Sequence, residues 1–498
     1  MIPKQLVYQN KVESAAARSY KSNIAPQNGT GNYGAGETII INIPTRANLV
    51  TAMSENYLKF DVSFTNGANT NDYLRWDSCG AHGLIQRVRV FSGSNLLDDI
   101  DNYGMLAKML FDIQVPTDSA YGKYNILSGT RPDLIAVTPT FLQTDFASAA
   151  TMVQKISNIP ISAYCTNTGA RLNSGQLAAA AVQSGGTYCL NLISLVGSLC
   201  SEKYFPLFAC TSAPLRVEIQ LVASPYQAIC SEDLLTSFTI SNCEYVANMI
   251  ELSDPAMQVI QSSTNGEPLQ FVFSDYKNFV HSAAITAAAT TVNAPIAAKY
   301  ASLKSLLVAL RDTSKSTAVT YFPYSSHHFN LLDYTFRIGP NVLPSKAPST
   351  YPEMFSELVK AIGSMSDINH QPSIDYYSYS GNYAKGNSGG LPGSGGSSAV
   401  SSATNYWGPI ANNDVLTNAV LYNGNVNSGS FYIGIDLENY TSADKSTVFA
   451  GYNSNTDDIY LQANFGGVSG GVASLRFDSY ACFDSVIVFQ NGNAYVKF

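Results

Sequence analysis

Along this chain, apolar and polar residues alternate far more often than they recur at helical spacing. The stretches 37–44 (ETIIINIP), 57–64 (YLKFDVSF), 84–91 (LIQRVRVF), 215–222 (LRVEIQLV) and 237–252 (SFTISNCEYVANMIEL) alternate, or run apolar with β-branched residues. So do 271–276, 302–310, 334–339, 430–437, 459–465 and 484–489. Period-two patterning predicts half-buried strands. Asn-Gly pairs start at Asn28, Asn66, Asn265, Asn423 and Asn491, and both residues accept the positive φ of a tight hairpin turn. Many strands with few helices between them predict an antiparallel sandwich or barrel, not a parallel βαβ sheet.

Two segments break this rhythm. In RVRVFSGSNLLDDIDNYGMLAKML (87–110), Ile100, Tyr103, Leu106, Met109, Leu110 and Ile113 fall three or four apart and predict a helix beginning near Asp99. In STYPEMFSELVKAIG (349–363), Thr350 and Glu353 have capping-box spacing, Pro352 sits in the first turn and Gly363 ends the helix. Phe355, Leu358, Val359 and Ile362 make its buried face. Each helix follows a similar run: RVFSGSNLL from Arg89, and RIGPNVLP from Arg337. LAKM at Leu106 and LVKA at Leu358 continue the likeness. The order strand, glycine corner, Asn-apolar-Leu, helix thus occurs twice, roughly 250 residues apart, and predicts two copies of one β module.

The chain accordingly divides into an N-terminal arm (1–36), a first module (37–252), a polar linker (253–270) and a second module (271–498). The Gly/Ser-rich stretch 378–408 reads as a long internal loop of the second module.

Asp98, Asp99 and Asp101 raise the question of a site. Clustered carboxylates can bind Ca²⁺ or Mg²⁺, but the glycine and glutamate of an EF-hand loop are missing. Acids near a helix start more often cap free N–H groups and face the positive end of the dipole. The second module has PSKAPST at the matching corner and no acidic trio. The expectation is therefore that Asp98, Asp99 and Asp101, like Thr350 and Glu353, are helix-capping residues.

Other candidates are weaker. His327 and His328 are adjacent, and adjacent strand residues point to opposite faces. Cys79 and His82 form a lone C-x-x-H without a partner pair. GNYGAGET (31–38) lacks the Gly-Lys-Ser/Thr ending of a phosphate loop, and no G-x-S-x-G elbow occurs. Five histidines in 498 residues leave few groups for acid–base work near pH 7. No catalytic residue, metal site or cofactor is expected.

Composition narrows the class further. Charged residues are 13% of the chain, about half the usual share of roughly 25%. The net charge of −8 and the spread of Lys4, Lys11, Arg18 and Lys21 argue against a nucleic-acid binder. With 31 Tyr and 23 Phe the chain is not disordered. The eight cysteines show no C-x-x-C pair and read as thiols kept in a reducing compartment. No signal peptide and no membrane-spanning run are expected. The sequons at Asn28 and Asn439 are then expected to stay unmodified.

At this point the sequence resembles the double jelly-roll major capsid proteins, the lineage of adenovirus hexon, tailless membrane-containing phages, virophages and polinton-like viruses. The resemblance rests on LIQRVRVFSGSNLLDDIDNYGMLAKML (84–110), KYFPLFACTSAPLRVEIQLV (203–222), AAKYASLKSLLVAL (297–310), FRIGPNVLPSKAPSTYPEMFSELVKAIG (336–363) and DSYACFDSVIVFQNGNAYVKF (478–498). It implies two tandem eight-stranded jelly rolls, each with a short flanking helix. It implies a non-enzymatic virion protein forming homotrimeric, pseudo-hexagonal capsomers that tile an icosahedral shell. Its partners would be itself, neighbouring capsomers, minor capsid or penton proteins, and an internal membrane reached by the N-terminal arm. The 378–408 loop would face outward. Rival readings are a carbohydrate-binding surface sandwich with tyrosine platforms, a β-sandwich hydrolase with scattered carboxylates, and a penton or spike with one jelly roll.

Overall fold

Strands form where the alternation runs, and they pair antiparallel throughout. The computed structural model describes residues 17–29, 31–66, 74–129, 182–200, 204–231, 235–263, 267–315, 322–363, 372–374, 379–380, 429–439, 451–468 and 471–497. Residues 1–16 of the arm, most of the 378–408 loop, Cys165 and Trp407 lie outside these, as do Gly67, Asn265-Gly266 and Asn423-Gly424.

The first half carries β1 (Ala17–Ile24), β2 (Thr38–Asn42), β3 (Leu49–Ala52), β4 (Tyr57–Asn66), β5 (Leu74–Arg75), β6 (Ile85–Ser92) and β7 (Asn95–Asp101). Helix α1 (Tyr103–Gln114), β8 (Val182–Leu190), β9 (Tyr204–Phe205), β10 (Leu215–Leu221), β11 (Cys230–Ser231) and β12 (Leu235–Leu252) complete it. Helix α2 (Asp254–Ser263) follows. The second half holds β13 (Leu269–Ile285), β14 (Thr290–Ile296), β15 (Leu303–Asp312), β16 (Leu331–Ile338) and β17 (Asn341–Leu343). Helix α3 (Tyr351–Lys360), β18 (Tyr432–Asp436), β19 (Ile459–Phe465), β20 (Val472–Gln490) and β21 (Asn493–Lys497) end the chain.

Four main sheets make two sandwiches. In the first, β8-β4-β12-β3-β9 faces β2-β10-β6-β7; in the second, β13-β20-β15-β18 faces β14-β19-β16-β17. β1 adds to β12, and β21 adds to β20. The inward faces follow the sequence pattern: Leu215, Val217, Ile219 and Leu221 of β10 are buried, with Arg216, Glu218 and Gln220 half-exposed between them. One apolar core runs through both sandwiches and the space between them. Among the described residues, no helix is long and apolar enough to cross a membrane.

The internal repeat has a structural counterpart. β6, a tight turn, β7 and α1 correspond to β16, a tight turn, β17 and α3. Ser92 pairs with Asn95 and Ile338 with Asn341. Gly93 and Gly339 both adopt positive φ, 59° and 54°, in these turns. Two of the sequence matches are out of step. Arg89 and Arg337 differ by two positions in this register. Lys108 is buried in mid-helix, whereas Lys360 closes α3 at the surface against Glu357.

Candidate functional site at the joint between the sandwiches

Of the acids in the Asp98–Asp101 cluster, Asp98 and Asp99 lie at the joint between the two sandwiches. Helix α1 is central to it. Its sequence, YGMLAKMLFDIQ, is apolar nearly all round, and a helix of that kind must be buried on every side. Gly104 allows one close contact: a Cβ there would lie 2.4 Å from the ring of Tyr324, whose hydroxyl donates to the Gly83 carbonyl at 2.7 Å.

Asp98, Asp99 and Asp101 do not cap this helix. All three belong to β7, and α1 starts only after Asn102, which sits at φ 50° without a side-chain cap bond. Asp98 and Asp99 turn toward the second sandwich and the adjacent loop instead. Asp99 takes a two-pronged bond from Arg87, at 2.6 and 2.9 Å, and a further ion pair from Lys277 of β13. Burial works to raise its carboxyl, but Arg87 and Lys277 outweigh burial and hold it below the ordinary carboxylate value. Asp98 accepts from the Leu195 N–H at 2.8 Å and lies beside Asp275 of β13. Both carboxyls are buried. Burial pushes Asp98 up to about 6, and burial together with the Asp98 charge raises Asp275 well above its usual range. Asp101 accepts from the Asn102 N–H at 2.8 Å, and from Gln86 at 3.3 Å. The partners that tie these acids to the second sandwich leave no local signal, because Lys277 lies 178 residues beyond Asp99.

Further contacts close the joint. Arg311 of β15 donates to Asp478 of β20 at 2.6 Å and to the Asn102 side chain at 3.3 Å. Lys108 is 0% exposed and reaches Asp77 at 2.8 Å and Asp112 at 3.2 Å. Asp112 in turn accepts from Ser430 at 2.7 Å and from Tyr432 at 2.8 Å, both in the second sandwich. At the far end, the Asn95 side chain donates to the Ala494 carbonyl at 3.0 Å, and Phe205 packs edge-on against Phe271 and Phe489.

The remaining candidates are structural. Thr350 and Glu353 form a reciprocal capping box at the start of α3. His82 bonds the Tyr103 hydroxyl at 3.0 Å, and burial lowers its pKa to about 3. His327 bonds Ser325 at 2.7 Å, while His328 faces Tyr351 at 3.1 Å. Cys79, Cys210, Cys243 and Cys482 are buried thiols; burial raises each of them. The Asn28 amide binds the β2 backbone at Thr38 and Ile40. Tyr103, Tyr188, Tyr245, Tyr334, Tyr432 and Tyr480 are fully buried and so offer no sugar platform.

Two sandwiches, each with a helix after a paired hairpin and joined by buried ion pairs and hydrogen bonds, define a double jelly-roll protein. No family model matches the sequence, and no curated protein matches it. Solved structures do match, over nearly the whole chain. A chain of the Sputnik virophage structure has a TM-score of 0.55 at 10% identity, covering 100% of this chain and 92% of its own. The mavirus major capsid protein has a TM-score of 0.53 at 11% identity, covering 96% and 90%. A chain of the PBCV-1 virus capsid has a TM-score of 0.52 at 10% identity, covering 99% of both. The likeness is one of fold.

Proposed function

We propose that this chain is a major capsid protein, a structural building block and not an enzyme. Three copies would form a pseudo-hexagonal capsomer, six sandwiches per ring, and capsomers would tile an icosahedral shell. The observation that carries the reading is the end-to-end fold likeness to solved capsid chains, which covers 90% or more of each chain. The polar joint supports it, because a tile needs two sandwiches held at one angle, and ion pairs and hydrogen bonds cross from one to the other.

The domain division follows the same reading: an arm at 1–36, jelly rolls at 37–252 and 271–498, and a linker at 253–270 that includes α2. Neighbouring capsomers, minor capsid or penton proteins, and an internal membrane at the arm complete the proposed partners. The buried thiols suit synthesis in a reducing host compartment, and the working place would be the virion.

Light scattering with negative-stain microscopy tests the proposal. The expected particle is a threefold oligomer of about 160 kDa, three times the 53.5 kDa chain, with a hexagonal outline. A monomer that persists at high concentration would overturn it.

A further inference from the structure

We propose that Lys108 and Asp77 are joined by an intramolecular isopeptide bond, formed by the protein itself with Asp112 as the proton relay. The chemistry needs an amine, a carboxyl and a second carboxylate held together away from water. All three groups are here and all are buried. Lys108 Nζ lies 2.8 Å from Asp77 Oδ1, and Asp112 Oδ2 lies 3.2 Å from the same nitrogen.

Each group is fixed by others. The Ser78 N–H donates to Asp77 Oδ1 at 2.7 Å and polarises the carboxyl for attack. Ser78 Oγ and Ser430 Oγ accept from Nζ at 2.8 and 3.4 Å. Ser430 and Tyr432 donate to Asp112 Oδ2, so the relay is completed only when the second sandwich has docked. Buried Lys108 retains its proton because Asp112 and Asp77 outweigh the effect of burial. The amine becomes nucleophilic when that proton passes along the short bond to Asp77.

The atoms balance without an outside reagent. The Nζ lone pair attacks Cγ of Asp77, and the Nζ–Cγ bond forms. Asp112 takes a proton from Nζ and returns it to the departing Asp77 oxygen. That oxygen leaves as water, and Asp112 ends as the carboxylate it began. The product is an amide tying the segment before the Gly80–Leu84 turn to α1.

Intact mass of the purified, denatured full chain tests this directly. The expected mass is that of the sequence less one water. Proteolysis would then yield a branched peptide joining the segments that hold Asp77 and Lys108. Asp112→Asn and Lys108→Arg variants would carry the deficit no longer. A wild-type chain at its full sequence mass, or a water lost elsewhere than Asp77 and Lys108, would overturn the proposal and leave a plain buried ion triad. The wild-type measurement decides the matter even where a variant fails to fold.

Discussion

Asn102 and Tyr480 exchange two hydrogen bonds across the joint. The Asn102 amide donates to the Tyr480 hydroxyl at 3.0 Å, and that hydroxyl donates to the Asn102 carbonyl at 2.8 Å. Asn102 is the left-handed residue that ends β7 and starts α1. One tyrosine in the second sandwich therefore holds the backbone corner of the first. Tyr480→Phe would keep the ring and strand both bonds of Asn102. The expected cost is about 1–3 kcal/mol, read as a lower urea midpoint at unchanged m-value.

Arg311 and Asp478 are a buried pair, and Asp478 is 0% exposed. Arg311→Met removes the guanidinium but leaves the carboxylate, with Arg476 still bonded to it at 2.7 Å. Breaking a buried pair from one side costs about 3–5 kcal/mol. The variant is expected to unfold at clearly lower denaturant. The double variant Arg311→Met with Asp478→Leu should recover part of the loss.

Asp98 and Asp275 give the joint a pH dependence. Their folded pKa values lie above the ordinary carboxylate value of about 3.9. Such groups hold protons in the folded state that the unfolded chain has already released. Their stabilising contribution is complete below about pH 4 and is lost as pH rises through about 6 and beyond. Asp275→Asn should flatten the decline. Melting temperatures between pH 5 and 8 read it out; equal slopes in wild type and variant would refute the assignment.

The capping box of α3 stands apart from the joint. Thr350→Ala should cost about 1 kcal/mol, the usual value of a side-chain cap. It should leave the pH slope assigned to Asp98 and Asp275 unchanged, a comparison that thermal melts can make.

Gly104→Ala tests the close approach of α1 and Tyr324. A methyl group at 2.4 Å from the ring forces a packed aromatic to move. Overpacking of this kind costs about 1–3 kcal/mol, although alanine is the better helix former. The sign of the change in midpoint separates the two effects.

Much of the fold was legible because strand alternation is a local signal. β4, β6, β10 and β19 lie where period two placed them, and α3 begins at its capping box. β7 was misread because its acids face a partner that sequence does not place. Asp98 and Asp99 break the alternation, and clustered acids before a helical pattern look like caps. β14 was hidden by Pro295, which an edge strand tolerates. Lys108 looked like half of a repeated Leu-x-Lys, although its true partners, Asp77 and Asp112, lie in another turn and on its own helix. Charged groups buried at long range leave no periodic trace, so the joint became visible only in three dimensions.

The joint is keyed, not greased. Apolar faces can slide past each other with small loss, but a one-residue slip along β13 would turn Asp275 and Lys277 to the wrong sides. Asp98 and Asp99 would face the wrong groups. The bevel between the two sandwiches therefore has a single setting. For identical blocks laid edge to edge, as in the proposed shell, that matters more than strength: a small error in the bevel would recur at every seam.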